Sequence, residues 1–187
     1  MNKFRASYSV LSTWATGDYD RAIKMYFKLE TITSKAMEAG KELHEQWQKE
    51  IETTKCLPVV FGSKPLNNPE TEVKRVVQIF DWLELVGVPD CVDGENIYEF
   101  KSGKSKDSEA YANDQQVGIY GLILALDKRK TKMAYIYHLD QYSKKMDMSM
   151  VHITPELLQK TMDWVESMAS DMHNYLTVNN LYQRFQK

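Results

Sequence analysis

The stretch GVPDCVDGENIYEFKSGK, residues 87–104, constrains this chain more than any other. It reads as two short β-strands, rich in Val, Ile, Tyr and Phe, around a turn at residues 93–96. Asp90, Glu99 and Lys101 interrupt them. Gly94 at the first central position of a two-residue loop suits a type II′ turn. That loop sets Asp93 opposite Asn96 and, counting back, Asp90 opposite Glu99. A four-residue loop gives the same pairing. An Asp93-Gly94 loop sets Asp90 opposite Ile97 and diagonal to Glu99. Every even-length loop puts Asp90, Glu99 and Lys101 on one face, whereas a loop of three or five residues separates them.

Opposed like charges destabilise a strand pair. Two partly buried carboxylates at such spacing require a cation or a shared proton. Hard oxygen donors favour Mg²⁺ or Mn²⁺, as one ion or two. Lys101 beside them is placed to hold a water or to stabilise negative charge growing on a phosphate. The hairpin therefore reads as a metal site for phosphodiester hydrolysis. A surface hairpin with an ordinary cross-strand ion cluster has the same spacing.

With 187 residues, the chain suits a single domain spanning 1–187. Its net charge of -2 supplies no global basic field, so any nucleic-acid contact rests on local patches. Cys56 and Cys91 are too few for a disulfide framework or a four-cysteine iron–sulfur cluster, and the low count suits a reducing compartment. No apolar leader and no run near 18 apolar residues is present, so no membrane partner and a cytoplasmic location are expected.

The pattern along the chain predicts N-terminal helices over 7–55, a catalytic sheet and helix over 57–127, and C-terminal strands and a helix over 131–179. Ser7 or Ser9, Asp18 or Asp20, and Ser34 are candidate caps in the first block. Met37, Gly40, His44, Trp47 and Ile51 form one helical stripe, so His44 points inward. LPVVFG reads as a short strand. DQQVGIYGLILAL reads as an amphipathic helix despite two glycines, and Gln116 and Tyr120 share one of its faces. Thr154-Pro155-Glu156 opens the last helix. The fold class is α/β, with a mixed central β-sheet flanked by helices.

Several of these residues also resemble a known pattern. Pro89-Asp90 followed by Glu99-Phe100-Lys101 resembles the signature of the PD-(D/E)XK nuclease superfamily. GKELHE around His44, EFKSGK, Gln116-x-x-x-Tyr120 and the opening SYSVLSTW resemble its RecB-like exonuclease branch, which includes CRISPR-associated, viral and organellar enzymes. The likeness runs in order over residues 7–125. It implies a restriction-endonuclease-like core and a stand-alone DNA exonuclease acting on single strands or ends and leaving a 5′-phosphate; a structure-specific endonuclease or an inactive nucleic-acid-binding subunit is the alternative. By the resemblance, Asp90, Glu99 and the Phe100 carbonyl hold the ion, with His44 as a further ligand. Lys101 positions the attacking water, Gln116 orients the lysine or the phosphate, and Tyr120 lies close by. Many relatives in this branch carry four cysteines for an iron–sulfur cluster, which this chain lacks. DNA is the expected partner and a homo-oligomer is compatible with the sequence. Lys104 and Lys106 flank the site as backbone contacts, and Tyr8, Trp14 or Tyr111 are candidates to stack on unpaired bases. Lys128, Arg129, Lys130 and Lys132 form a second basic run, which reads more readily as a solvated loop.

Overall fold

The computed structural model describes residues 3–29, 35–102, 115–140 and 143–185. Ser34, Lys104, Lys106 and Tyr111 lie outside the described residues. Strand β1 (Phe4–Ser7) leads into helices α1 (Tyr8–Ala15) and α2 (Tyr19–Phe27), then the long α3 (Lys35–Thr54). Strands β2 (Glu70–Thr71), β3 (Arg75–Phe80), β4 (Leu83–Gly87), β5 (Cys91–Asp93) and β6 (Asn96–Ser102) follow. Helix α4 (Gln115–Leu126), strands β7 (Met133–Leu139) and β8 (Met146–His152), and helices α5 (Pro155–Val178) and α6 (Leu181–Phe185) complete the described chain.

The central five-stranded sheet has the order β2-β5-β6-β7-β8, and a three-stranded sheet has the order β1-β4-β3. Both are mixed: β6 runs parallel to β7 and β1 parallel to β4, while the other pairs are antiparallel. A parallel β6–β7 pair needs a long crossover, and α4 lies within it. One apolar cluster joins α1, α4 and α5 to the inward residues Ile97, Ala134, Ile136 and Val151. A second cluster gathers Trp47 and Ile51 of α3 with Phe61, Cys91, Tyr98, Phe100 and Tyr137. Successive residues of β6 thus feed opposite sides of the sheet, as the two-residue period of a strand requires. The mixed α/β class with helices flanking the sheet agrees with the sequence pattern.

The differences are local and have physical causes. LPVVFG is not a strand: Val59–Phe61 form a 3₁₀ turn closed by Gly62 in the left-handed region, and Phe61 plugs the second cluster. The stripe on α3 is real at Trp47 and Ile51 but frays at Met37, which is exposed. Strands β1 and β2 and helix α6 were not legible as elements, because four- and two-residue strands carry almost no periodicity. Thr154 caps α5 through its hydroxyl, which accepts from the Leu157 N–H at 3.2 Å, with Pro155 in the first turn. Asp18 caps α2 in the same way through the Arg21 N–H. Ser7 precedes α1 but makes no side-chain capping bond.

Helix α4 is not amphipathic. Residues 117–124 are all buried, because the helix is enclosed between the sheets and α5. Its two glycines make the enclosure sterically feasible. A β-carbon on Gly118 would lie 2.1 Å from Thr161 Oγ1, and one on Gly121 would lie 2.9 Å from Ile153 Cγ2. The expected result of Gly118→Ala is therefore a loss of stability of at least about 1–3 kcal/mol from overpacking, despite alanine's better helix propensity. Thermal denaturation measures it, and a rise in Tm would contradict the enclosed packing.

Candidate metal centre

The hairpin turns through Gly94, with φ of 58°, while Glu95 stays out of the positive-φ region, as a type II′ turn requires. The register is Asp93↔Asn96, Val92↔Ile97 and Cys91↔Tyr98. Continued one step past the last paired residues, this register, which is that of the two-residue loop, sets Asp90 against Glu99. Asp93, buried at the turn, accepts from the Asn67 and Asn68 N–H groups and so pins the preceding loop to the hairpin. Cys91 faces the second apolar cluster, and burial pushes its thiol up to about 12, which makes it an inert packing residue.

Asp90 leaves the ladder and turns its carboxylate inward. Its Oδ2 accepts from the Phe100 N–H at 2.7 Å, and its Oδ1 lies 3.5 Å from His44 Nδ1. Gly40 explains how α3 comes so near. A β-carbon there would sit 3.2 Å from Ser102 Oγ, so glycine lets the helix settle against the end of β6 one turn before His44. Burial opposes protonation of His44, but the hydrogen bond and charge of Asp90 outweigh it and raise the imidazole above its ordinary value.

Glu99 is only 2% exposed. Its Oε1 accepts from Lys101 Nζ at 2.7 Å and from Gln116 Nε2 at 2.7 Å. Lys101 Nζ also donates to Gln116 Oε1 at 2.7 Å, which closes a three-membered ring of side chains. The same Gln116 amide nitrogen donates to the Tyr120 hydroxyl at 3.0 Å. That bond fixes which way the amide faces and keeps its oxygen on Lys101. Burial, and then the Asp90 charge, push the Glu99 carboxyl up to about 7 against the pull of Lys101 and His44. Burial and the Glu99 charge likewise push the Tyr120 hydroxyl far up, so it stays protonated.

The residues present fit a divalent cation. Glu99 Oε2 is buried without a hydrogen-bond partner, although Oε1 has two. Such an orphan costs about 1–3 kcal/mol, more for a charged group, unless something else binds it. The two carboxylates are hard oxygen donors suited to Mg²⁺ or Mn²⁺, and the imidazole adds one borderline nitrogen. Among the described residues, His44, Glu72 and Asp90 also each offer a ligand atom, all within 4.8 Å of one another.

The sequence-predicted residues divide cleanly. His44, Asp90, Glu99, Phe100, Lys101, Gln116 and Tyr120 come together here. Trp14 presents no open ring face: it is 3% exposed, covered by Tyr19 at a tilt and by Tyr175 edge-on, with its indole N–H donating to Asp171 at 2.8 Å. Tyr8 is half-buried against the same core. In the second basic run, Arg129 pairs with Glu70 at 2.6 Å and Lys132 pairs with Glu95, so both cations are engaged within the protein. Glu72 was missed. It carries no local signal, and only the tertiary pairing of β2 with β5 brings it to Asp90, through Glu72 N–H to the Asp90 carbonyl at 3.2 Å.

No family model matches the sequence, and no curated protein does. Solved structures do. An alkaline exonuclease (LHK-Exo) from Laribacter hongkongensis superposes with a TM-score of 0.60 at 11% identity, over 98% of this chain and 95% of that one. The chain has the fold of that exonuclease. The same enzyme in complex with dAMP gives 0.55 at 12% identity, over 96% of this chain and 92% of that one. A phage related exonuclease from Haemophilus somnus 129PT gives 0.54 at 14% identity, over 88% and 83%. The common architecture is a mixed sheet flanked by helices in the restriction-endonuclease-like manner. Among the described residues, no helix is long and apolar enough to cross a membrane.

Proposed function

We propose that this chain is a metal-dependent deoxyribonuclease that hydrolyses phosphodiester bonds of single-stranded DNA or of DNA ends. The observation that carries this reading is Glu99: a buried carboxylate with one oxygen held by Lys101 and Gln116 and the other left without a partner beside Asp90. That arrangement wastes stability in a structural protein and suits one that binds a cation. Asp90, Glu99 and the Phe100 carbonyl would hold the ion, with His44 as a further ligand, and Mg²⁺ or Mn²⁺ fits the donor set. A bound divalent cation supplies Lewis-acid polarisation of the phosphate and acidifies a coordinated water.

The protein's own groups do the rest. Lys101 holds an ammonium at the mouth of the cluster, where it stabilises negative charge on the phosphate and orients the attacking water. Gln116 keeps that ammonium in place, and Tyr120 keeps Gln116 from flipping. Gly40–His44 and Gln116–Tyr120, each at four-residue spacing on a helix beside the hairpin, favour the RecB-like branch. Lys104 and Lys106 follow Lys101 in sequence and are proposed contacts to the DNA backbone. The reading places the protein where DNA is, inside a cell.

The test uses end-labelled DNA, single- and double-stranded, linear and closed-circular, with EDTA, Mg²⁺ or Mn²⁺. Cleavage of linear DNA that stops on adding EDTA and resumes with either ion is expected, with closed circles left intact. No metal-dependent cleavage would sink the nuclease reading. Cutting of closed circles would keep the nuclease and replace the exonuclease with an endonuclease.

A further inference from the structure

Strand β7 carries one polar residue that the metal centre does not use. Ala134 and Ile136 point into the apolar cluster shared with α4, and His138 follows them at the same two-residue period, on the same side of the sheet. It is 2% exposed, and neither of its ring nitrogens has a hydrogen-bond partner among the described residues. A neutral imidazole has one acceptor nitrogen and one donor. Burying both unpaired forfeits their hydration, so an apolar side chain would serve stability better here.

The strand register shows what His138 stands between. Its partner on β6 is Lys101, and its partner on β8 is Asp147. Lys101 shares the α4 side of the sheet with Ile97 and Glu99, and Asp147 shares it with the buried Ser149 and Val151. A row of ammonium, imidazole and carboxylate therefore crosses three adjacent strands, at steps of about 4.8 Å. The Asp147 carboxylate accepts from the Met148 N–H at 2.8 Å, which keeps it at the strand. Lys101 Nζ is turned along β6 to Glu99 and across to Gln116, at 2.7 Å each. His138 lies one strand over, on the same face, within the sweep of that long side chain.

We propose that His138 is a positioning residue for Lys101: its imidazole accepts from the ammonium once Glu99 is committed to a cation, and Asp147 accepts from the other ring nitrogen and fixes the tautomer. This deepens the metal-centre reading and rests on it. Two cations on one carboxylate repel each other, so Lys101 then needs a further acceptor within its reach. The two acceptors also differ in kind. Glu99 neutralises the ammonium that it holds, whereas a neutral imidazole holds it and leaves its charge for the phosphate. Both unpaired nitrogens of His138 are thereby used.

The experiment follows the imidazole nitrogen resonances of the full-length protein by NMR as Mg²⁺ is added. His44, a proposed ligand, reports the ion, and His138 reports the lysine. Both rings are expected to respond in wild type, and only His44 in Lys101→Met. A silent His138 beside a responding His44 would overturn the proposal and leave the metal centre standing. A His138 response that persists in Lys101→Met would overturn it as well. Silence of both rings would sink the metal-centre reading and this proposal with it. None of these readouts needs DNA, so they decide the matter even if the nuclease reading fails. Turnover adds a second line. His138→Leu is expected to melt no lower than wild type in EDTA, yet to lose kcat on linear DNA on the order of tenfold to a hundredfold. Its KM should stay within about twofold, the mark of an interaction made only in the transition state. His138→Gln, which again offers an acceptor and a donor, should recover most of kcat. A lower Tm with unchanged kcat in both variants would make His138 a packing residue.

Discussion

Lys101→Met is expected to lower DNA hydrolysis by about 10²–10³-fold, in the range set by removing a single charge-stabilising donor from an active site. The argument rests on where the ammonium is held. Lys101 Nζ is bound on two sides, by Glu99 Oε1 and Gln116 Oε1, and its side chain remains 30% exposed toward the mouth of the cluster. A lysine meant only to neutralise Glu99 would be buried with it. Methionine keeps the unbranched stem and loses the charge, so packing changes little. DNA binding measured with Ca²⁺ should fall by less than about tenfold, because a single phosphate-scale contact is lost. Lys101→Arg should not restore turnover: a planar guanidinium fork cannot replace a point charge between two oxygens. Wild-type turnover in Lys101→Met, measured under single-turnover conditions, would remove Lys101 from the chemistry.

Local geometry explains why this part of the site could be read from sequence. The turn, the alternation of side chains along β6 and the four-residue spacing of Gln116 and Tyr120 are all decided within a few residues. So was the inward aim of His44, although the stripe gave no reason for Gly40; that reason is Ser102, on a strand sixty residues away. What stayed illegible depends on partners distant in sequence. Glu72 acquires its place only when β2 pairs with β5. Trp14 reads from sequence as a candidate to stack on bases, yet Asp171 and Tyr175 of the last long helix claim it. Helix α4 looked amphipathic because its first residues are polar. Of those, Gln116 faces the metal cluster and Gln115 accepts from Thr161, while residues 117–124 are enclosed on every side. In each case the tertiary contact outweighed the local pattern.

Glu99→Gln is expected to be more stable than wild type in EDTA at neutral pH, and less able to gain stability from Mn²⁺. Burial and Asp90 raise the folded Glu99 carboxyl from 4.5 to about 7. A group with a raised folded value contributes stability that is fully present below its unfolded value and is lost as pH rises through the folded one. The Glu99 contribution therefore fades between about pH 4.5 and 7. His44 is also raised, by Asp90, so its contribution is lost in the same direction as pH rises. At about 1.4 kcal/mol per pH unit, the scale for Glu99 is on the order of 3 kcal/mol. For a chain of this size, that corresponds to a Tm difference of roughly 5–10 °C. Glutamine keeps the shape and one acceptor for Lys101 but carries no charge, so the variant should escape the loss. Mn²⁺ reverses the ranking. A cation binds the ionised carboxylate, must displace a proton below about pH 7, and so stabilises wild type increasingly as pH rises. Paired melting curves of the two proteins from pH 5 to 8, with EDTA and with Mn²⁺, test both halves. Parallel curves, with no crossing on adding the ion, would mean that Glu99 is a structural acid satisfied by Lys101 and Gln116 alone.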